Sequence, residues 1–471
     1  MKPVYIVSWL FALAISFVSC DDWLDKTPKD RLYPDVYFKT EDELRLFTNQ
    51  FYNNLVPSAV DIYSESSDLI VKSDLMLEMS GQRIIPDEGN GWNFTALRDI
   101  NFYPQYSHNC TEVNARNRYD GVARFFRAYF YFEKVKRYGD IPWYDKALDS
   151  DDPELYKARD SREFVMQKML EDLDFAIANL PKTKNAYVLT RWTALALKSR
   201  VCLFEGTFRK YHGLEDYEKY LNACVSASET FMNESGYTLY KSGSTPYRDL
   251  FASINLQADE VIFGRDYEAS LSVLHNVQNY ENSTTMGRPG MNKKIVNSYL
   301  MADGSRFTDK AGYETMTFDQ ECQNRDPRLA QTIRTPGYTR IGSTKKEAPN
   351  LAYTMTGYHL IKYSMTANYD EYNKSCNDIP LFRTAEVYLN FAEAKAELGT
   401  LKQADINKSI KLLRDRVGMT NLDMELANSK PDPYLMSAAT GYPNVKGANQ
   451  GVILEIRRER TIELAMEGFR Y

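Results

Sequence analysis

The stretch from Asp120 to Tyr144, DGVARFFRAYFYFEKVKRYGDIPWY, places an unusually aromatic segment directly before a turn-forming sequence. Its apolar residues recur at helical spacing and define one broad face, made of Val122, Phe125, Phe126, Tyr129 and Phe130. The basic residues fall largely outside that face; they are Arg124, Arg127, Lys134 and Lys136. Gly139 can adopt the left-handed conformation that ends a helix, and Pro142 cannot continue one. An aromatic face must be covered, so the segment predicts a buried helix in an α-rich domain.

Other helical patterns occur in pairs. Arg162 to Leu180 has a predicted buried face of Phe164, Met169, Leu173, Ile177 and Leu180. Thr190 can cap the next helix, and Leu214 to Phe231 is its predicted antiparallel partner. A third pair of helices is predicted near the carboxy terminus. The first helix ends at Gly399 and is marked by Ala385, Leu389, Ala392 and Ala396. The second ends at Gly418 and is marked by Ile406, Ile410, Leu413 and Val417. Such pairs resemble irregular tetratricopeptide units and predict one large, mainly helical domain.

The amino terminus predicts a lipoprotein signal peptide of residues 1–19. Lys2 precedes an apolar run from Val4 to Val18, which as a helix would span only about 22 Å and is too short to cross a bilayer comfortably. The run ends at Ser19-Cys20-Asp21-Asp22, where a small residue precedes a cysteine. We expect Cys20 to be the lipidated first residue of the mature protein; the alternative is cleavage elsewhere, with Cys20 as an ordinary thiol.

Composition fits a soluble protein tethered to a membrane by its predicted lipid anchor. The net charge of -6 argues against a nucleic-acid partner, and 34 Tyr, 23 Phe and 5 Trp offer rings for packing or for ligand contact. The five cysteines after Cys20 include no CxxC pair and suit neither a disulfide framework nor a zinc site. They are Cys110, Cys202, Cys224, Cys322 and Cys376.

Motifs for catalysis are weak throughout the sequence. The four histidines are far apart and form no HExxH, and no G-x-S-x-G elbow occurs. Two acidic pairs, Asp172 with Asp174 and Glu459 with Glu463, could be taken for glycosidase carboxylates, but arginines neighbour Glu459 and Glu463 and favour a structural charge network. We therefore predict a protein that is not an enzyme, with no catalytic residue, cofactor or metal ligand.

Several motifs, in this order along the chain, resemble the SusD/RagB family of outer-membrane nutrient-binding lipoproteins of Bacteroidetes. Besides the aromatic helix with YGDIPWY, they are Asp22-Trp23-Leu24-Asp25 with Thr27-Pro28, YFKTEDEL from Tyr37, RWTALALKSRVCLFEGTF from Arg191, LFRTAEVYLNFAEAKAELG from Leu381 and RRERTIELAMEGFRY from Arg457. The stretch from Tyr237 to Asp378 matches only loosely. The resemblance implies a mainly α fold, in which irregular tetratricopeptide-like helix pairs carry long loop insertions.

The resemblance also implies an organisation and a role. Residues 20–34 would be a lipidated tether, and residues 35–471 a SusD-like nutrient-binding domain. The protein would be anchored by lipid at the cell surface, where it would capture oligosaccharides and deliver them to a SusC-like TonB-dependent transporter in the outer membrane. The alternative is a peptide-binding, RagB-like lid of a peptide transporter.

Ligand contacts are expected in loops that combine aromatic and polar side chains. The loop GNGWNF, residues 89–94, precedes a helix start that resembles the family's, and that loop contributes ligand contacts in family members. Trp92 is therefore the first predicted contact and Asp74 the second; loop packing is the alternative for Trp92. Tyr280 and Arg288, in the loosely matching NYENSTTMGRPG, are further candidates.

The final segment departs from the family pattern. In the family, a helix like Gly451 to Gly468 is followed by a Trp-containing stretch and a tail that packs back on the domain, whereas this sequence stops at Tyr471. Against the family pattern, either the sequence is truncated at its carboxy terminus, which we favour, or the protein lacks the final element. We accordingly expect the aromatic residues of EGFRY to lack packing partners.

Overall fold

The computed structural model describes residues 37–65, 67–86, 89 and 91–470. The predicted signal peptide, the tether and Cys20 lie outside these described residues. The described chain is mainly helical, as predicted. Its elements in chain order are α1 (Glu41–Leu55), α2 (Ala59–Tyr63), β1 (Ile70–Val71), α3 (Leu77–Ser80), α4 (Thr95–Tyr106), α5 (Val113–Tyr138), α6 (Arg162–Asn179), α7 (Arg191–His212), α8 (Tyr217–Glu234), α9 (Pro246–Phe251), β2 (Val261–Arg265), α10 (Val277–Asn282), β3 (Gly290–Met291), α11 (Lys293–Ser298), α12 (Phe318–Cys322), α13 (Leu329–Thr332), β4 (Ile379–Arg383), α14 (Thr384–Glu397), α15 (Gln403–Asn407), α16 (Ile410–Arg416), α17 (Met424–Ser429), α18 (Pro433–Met436) and α19 (Gln450–Glu463).

The aromatic segment forms the central helix α5, as its periodicity predicts. Its predicted face is buried in the main core, with Tyr129 only partly so. Gly139 ends the helix with φ of 70°. Arg127, which falls outside that face, is buried as well, because its side chain is paired with Asp172 of α6. A helix that packs against neighbours on several sides buries more than its hydrophobic face.

Contacts between successive helices build the scaffold around α5. α5 packs on α6, α7 packs on α8, and α8 packs in turn on α14. Thr190 caps α7 through a reciprocal pair of bonds with Thr193, which confirms the predicted cap. Phe164, predicted to be buried, is 40% exposed on α6, because Val165 and Met166 face the core instead.

The carboxy-terminal part forms a second hydrophobic cluster. α14 is almost wholly buried between α8 and α19. The helix predicted from Ile406 to Val417 is instead split into α15 and α16, because the backbone of the buried Ser409 leaves helical geometry and its hydroxyl bonds to Asp405 O. Phe469, expected to lack a partner, lies 4.8 Å from the Arg200 guanidinium and packs against this second cluster.

Two short antiparallel ribbons join distant parts of the chain. In one, Ile70 of β1 pairs with Met291 of β3. In the other, β2 pairs with β4, and irregular register bends the ribbon near Phe263. β4 leads directly into α14, so this ribbon ties the middle of the chain to the helical scaffold.

The described residues contain free cysteines, and they show neither a metal-binding cluster nor a membrane-spanning helix. Their five cysteines are free thiols, and only Cys322 is not buried. No group of three or more His, Cys, Asp or Glu side chains in this part of the chain could hold a metal ion. None of its helices combines the length and the apolar character needed to span a bilayer.

Candidate functional site

An open cavity of about 530 Å³ lies at the amino-terminal end of α4. Its walls come from the loop before α4, from the turn after α5 and from residues 144–159. α4 presents Leu97 to the core and turns Arg98 outward. The aromatic and basic side chains of the lining include Trp92, Arg98, Tyr144, Tyr156, Lys157 and Arg159.

Two exposed aromatic side chains give the cavity flat apolar surface. Trp92 is 39% exposed, and its indole makes edge-to-face contacts with Phe94 and Tyr138, at 5.3 and 4.9 Å between ring centroids. Tyr156 ends a short 3-10 turn, Pro153–Tyr156, and is 86% exposed. Partly exposed aromatic rings in a cavity offer apolar surface to a ligand.

Basic groups supply the polar part of the lining. They are Arg98, Lys146, Lys157 and Arg159, and none of the described lining residues is acidic. The Arg159 guanidinium lies 4.8 Å from the centroid of the Trp92 ring. Lys157 Nζ donates to Trp143 O at 2.7 Å and lies 5.0 Å from the Tyr144 ring. Both cations are therefore ordered beside aromatic rings.

The DIPWY turn fixes the floor of the cavity. The Trp143 ring is buried against Tyr131 of α5, with 4.3 Å between centroids. Tyr131 Oη accepts a bond from Tyr144 N at 2.6 Å, and Asn101 Nδ2 donates to Tyr144 O at 2.8 Å. Helices α4 and α5 thus hold the backbone of this turn from two sides. The aromatic helix contributes to the site by positioning the turn, while the lining comes from the segments around it.

Two family models match the chain. The SusD family model matches residues 250–471, and a model described as "Starch-binding associating with outer membrane" matches residues 83–191. Both matches support assignment to the SusD/RagB-like family. The Trp92 cavity lies within the second of these matches, and the loosely resembling middle of this SusD-like chain lies largely within the first.

Relatives and solved structures agree with this assignment. SusD-like protein P38 of Formosa agariphila is 24% identical over 518 residues, covering 100% of this chain and 91% of that protein. SusD-like protein P2 of the same organism is 25% identical, covering 97% and 87%. A SusD-like protein of Bacteroides fragilis superposes with a TM-score of 0.71 at 22% identity, covering 94% of this chain and 88% of the other. A SusD-like carbohydrate-binding protein of the same species gives 0.68 at 18% identity, covering 92% and 85%. These structures confirm the mainly α SusD-like fold.

The predicted ligand contacts of this SusD-like protein do not meet in one place. Trp92 lines the cavity, whereas Asp74 is exposed and Arg288 donates to Leu351 O at 2.7 Å; neither lines it. Tyr280 is 3% exposed and its ring lies 5.1 Å from that of Tyr63. Tyr280 therefore packs the core in this structure and is removed from the candidate contacts.

Sequence reasoning missed the second wall of the cavity, which carries Tyr156 and Arg159. The signal available was the polar stretch after DIPWY, where Asp152-Pro153 predicts a turn start and places the residues after it at the surface. Lys146 bonds to Glu154 at 3.0 Å, and Tyr144 Oη donates to Glu154 O. These contacts fold the stretch back over the cavity.

The acidic pairs considered for catalysis are ion-paired. The side chains of Glu459 and Glu463 are at most 1% exposed, and Asp172 is bound by Arg127. The charge network predicted for the two glutamates is confirmed, but its arginines come from other elements. They are Arg328, Arg383, Arg414 and Arg416, and not the sequence neighbours of the glutamates.

A second cavity, of about 410 Å³, lies between α5, α7 and the chain near Phe469. Its charged walls are already satisfied, since Arg200 is bound to Glu386 at 2.6 Å and Arg460 to Glu393 at 2.6 Å. Phe382 is covered by the Arg200 guanidinium at 3.8 Å. The Trp92 cavity, which offers open rings and available cations, is the better ligand site.

Proposed function

We propose that this SusD-like protein is a surface-exposed lipoprotein that captures oligosaccharides in the Trp92 cavity and delivers them to a SusC-like TonB-dependent transporter. The observation that carries the proposal is the cavity itself, where Trp92 and Tyr156 are exposed beside hydrogen-bond donors. A sugar ring has C–H faces that pack on aromatic rings and a rim of hydroxyls that bonds to polar groups. No bond of the ligand is broken in this role.

The relatives support the carbohydrate part of the proposal. One solved structure with this fold is described as a SusD-like carbohydrate-binding protein, and one matching family model as starch-binding and associating with the outer membrane. Attachment through Cys20 and the transporter partner rest on the sequence and on family membership. Asp74 and Arg288 stay proposals for contacts made when a longer ligand extends beyond the cavity.

The test is calorimetric titration of the full chain, purified in detergent, with polysaccharides, their oligomers and peptide mixtures. Stacking on one face of Trp92 would cover about 60 Å², worth about 1.5 kcal/mol, so Trp92→Ala should weaken glycan binding about tenfold. Tyr372→Ala is the matched control, because Tyr372 is 67% exposed and does not line the cavity. Binding of peptides alone would favour the RagB-like alternative, and glycan binding unchanged by Trp92→Ala would contradict the assigned site.

A further inference from the structure

We propose that the Trp92 cavity selects oligosaccharides that carry anionic groups, either uronate carboxylates or sulfate esters, and that Arg98 and Arg159 bind those groups. The inference rests on the proposed function, since it names the class of glycan that the same cavity takes.

The charge of the lining is opposite to that of the chain. The whole protein has a net charge of -6, yet the described lining of the cavity contains four cations and no carboxylate. A neutral sugar needs donors and acceptors of both kinds, because each hydroxyl both donates and accepts. A lining whose charged groups are all cationic donors is complementary to a ligand with anionic acceptors.

Two of the four cations are already neutralised from outside the lining. Lys146 Nζ lies 3.0 Å from Glu154 Oε1 and 3.7 Å from Asp152 Oδ2. Lys157 Nζ lies 3.0 Å from Asp160 Oδ2 and donates to a backbone carbonyl as well. These lysines hold the wall of the cavity together and have little charge left for a ligand.

The two arginines, unlike the lysines, keep hydrogen-bond donors that a ligand can use. Arg98 donates only its Nε, to Leu148 O at 3.3 Å, so the backbone orients the side chain while both terminal nitrogens stay available among the described contacts. Arg159 has the Trp92 ring beneath its guanidinium, and no described carboxylate pairs with it. Both residues are exposed. A pre-oriented guanidinium can form two parallel bonds to a carboxylate or a sulfate.

The neighbouring rings favour a glycan as the carrier of the anion. Arg159 covers one side of Trp92, while Tyr156 offers an almost fully exposed ring close by. A charged sugar can pack its C–H face on such a ring and direct its carboxylate or sulfate toward an arginine. An acidic peptide lacks the rigid C–H face, so the aromatic surface adds less to its binding.

The experiment uses the full chain in detergent and two matched ligand pairs. The first pair is oligogalacturonate and its neutral methyl ester; the second is a sulfated galactan oligomer and its desulfated form. We expect the anionic member of at least one pair to bind about tenfold tighter, as for hydrogen bonds to a charged group, and its advantage to fall as salt is added. The pair that responds identifies the anion.

Variants assign the effect to residues. Arg98→Gln and Arg159→Gln should each reduce the preference for the anionic member to less than about threefold, while Arg45→Gln on α1, the same loss of charge away from the cavity, should leave it unchanged. Melting curves check that the variants are folded.

Each other outcome overturns the inference. Equal binding of both members of each pair would overturn it and leave the proposed function standing, whereas absence of binding by every glycan, neutral or charged, would overturn both. A preference that survives both arginine variants, or an equally tight acidic peptide, would also overturn it.

Discussion

Arg127 and Asp172 form a buried ion pair with two hydrogen bonds directly behind the floor of the Trp92 cavity. The distances from Arg127 Nε and Nη2 to the two carboxylate oxygens are both 2.6 Å. Arg127 Nη1 also donates to Asn101 Oδ1 at 3.3 Å, and its guanidinium lies 5.2 Å from the Trp143 ring. This one pair therefore connects α4, α5, α6 and the turn that lines the site.

Asp172→Asn should destabilise the protein by about 3–5 kcal/mol, because it leaves the Arg127 guanidinium buried without a counter-charge. The free energy of unfolding in urea measures the effect. Asp174→Asn is the control: its side chain is 59% exposed, and its ion pair with Lys198 is worth less than about 1 kcal/mol. Similar losses in the free energy of unfolding for both variants would contradict the larger contribution of the buried pair.

Tyr156→Ala should separate binding from stability. The side chain is 86% exposed, so its removal should change the free energy of unfolding by less than about 0.5 kcal/mol. If the ring contacts ligand, affinity for an oligosaccharide that binds the cavity should fall about three- to tenfold. Calorimetry and a denaturation curve on the same sample give both quantities. Unchanged affinity would show that the second wall takes no part in binding.

Glu463→Gln should cost about 3–5 kcal/mol of stability, because Glu463 is shared by Arg328, Arg383 and Arg416 in the interior. Burial alone would raise the pKa of Glu463, but these arginines hold it well below its usual range. The exposed Glu425→Gln should stay within about 0.5 kcal/mol of the parent. The free energy of unfolding of each variant, measured by denaturation at neutral pH, checks this prediction. Equal values for Glu463→Gln and Glu425→Gln would contradict it.

His275 predicts a loss of stability on acidification. Its Nε2 lies 2.9 Å from Asn377 O and its Nδ1 accepts from Val277 N, and burial lowers its pKa to about 4. The folded pKa is lower than the unfolded one, about 6.5, so the contribution is complete above pH 6.5 and is lost as pH falls toward 4.

His275→Gln should therefore destabilise the protein less at pH 5 than at pH 7, by up to about 2 kcal/mol. Comparing the variant with the parent at each pH cancels the other titrating groups. Those include Glu65 and Glu281, whose pKa values burial raises to about 7. An equal difference at both pH values would contradict the prediction.

Gly206→Ala should test the close packing of α7 on α8. A Cβ at Gly206 would lie 2.7 Å from Leu221 Cγ, so the helices must separate, at a cost of about 1–3 kcal/mol. Gly121 of α5 is the control, since its Cβ would lie 3.4 Å from Leu180 Cγ and the higher helix propensity of alanine offsets that contact. Thermal unfolding should rank Gly121→Ala above Gly206→Ala.

The sequence predicted the parts of the fold that local patterns determine. The aromatic face of α5, the cap at Thr190 and the apolar spacing of α14 all correspond to elements of the structure, because periodicity and capping act over a few residues. The break at Ser409 was missed, since neither Gly nor Pro marks it. The break coincides with the buried Ser409, whose hydroxyl bonds to Asp405 O, and a single sequence does not show that burial.

The site was predicted in part, for a related reason. Trp92 stands in a loop that resembles a known pattern, whereas Tyr156 and Arg159 are placed on the wall by contacts across the turn, including those of Lys146 with Asp152 and Glu154. The burial of Tyr280 was not foreseen, because tyrosine is abundant in this chain and its residue type does not report burial. The burial of Arg127 was not predicted, because it depends on the carboxylate of Asp172 on another helix.

Arg470 connects the two ends of the described chain: its backbone N donates to Glu65 and its guanidinium bonds Asp68 at 2.6 Å, across 405 and 402 residues of sequence. These contacts cannot form while the ribosome is still adding the middle of the chain. The contacts that join Glu65 and Asp68 to the carboxy-terminal segment are therefore among the last that the chain can form as it is synthesised.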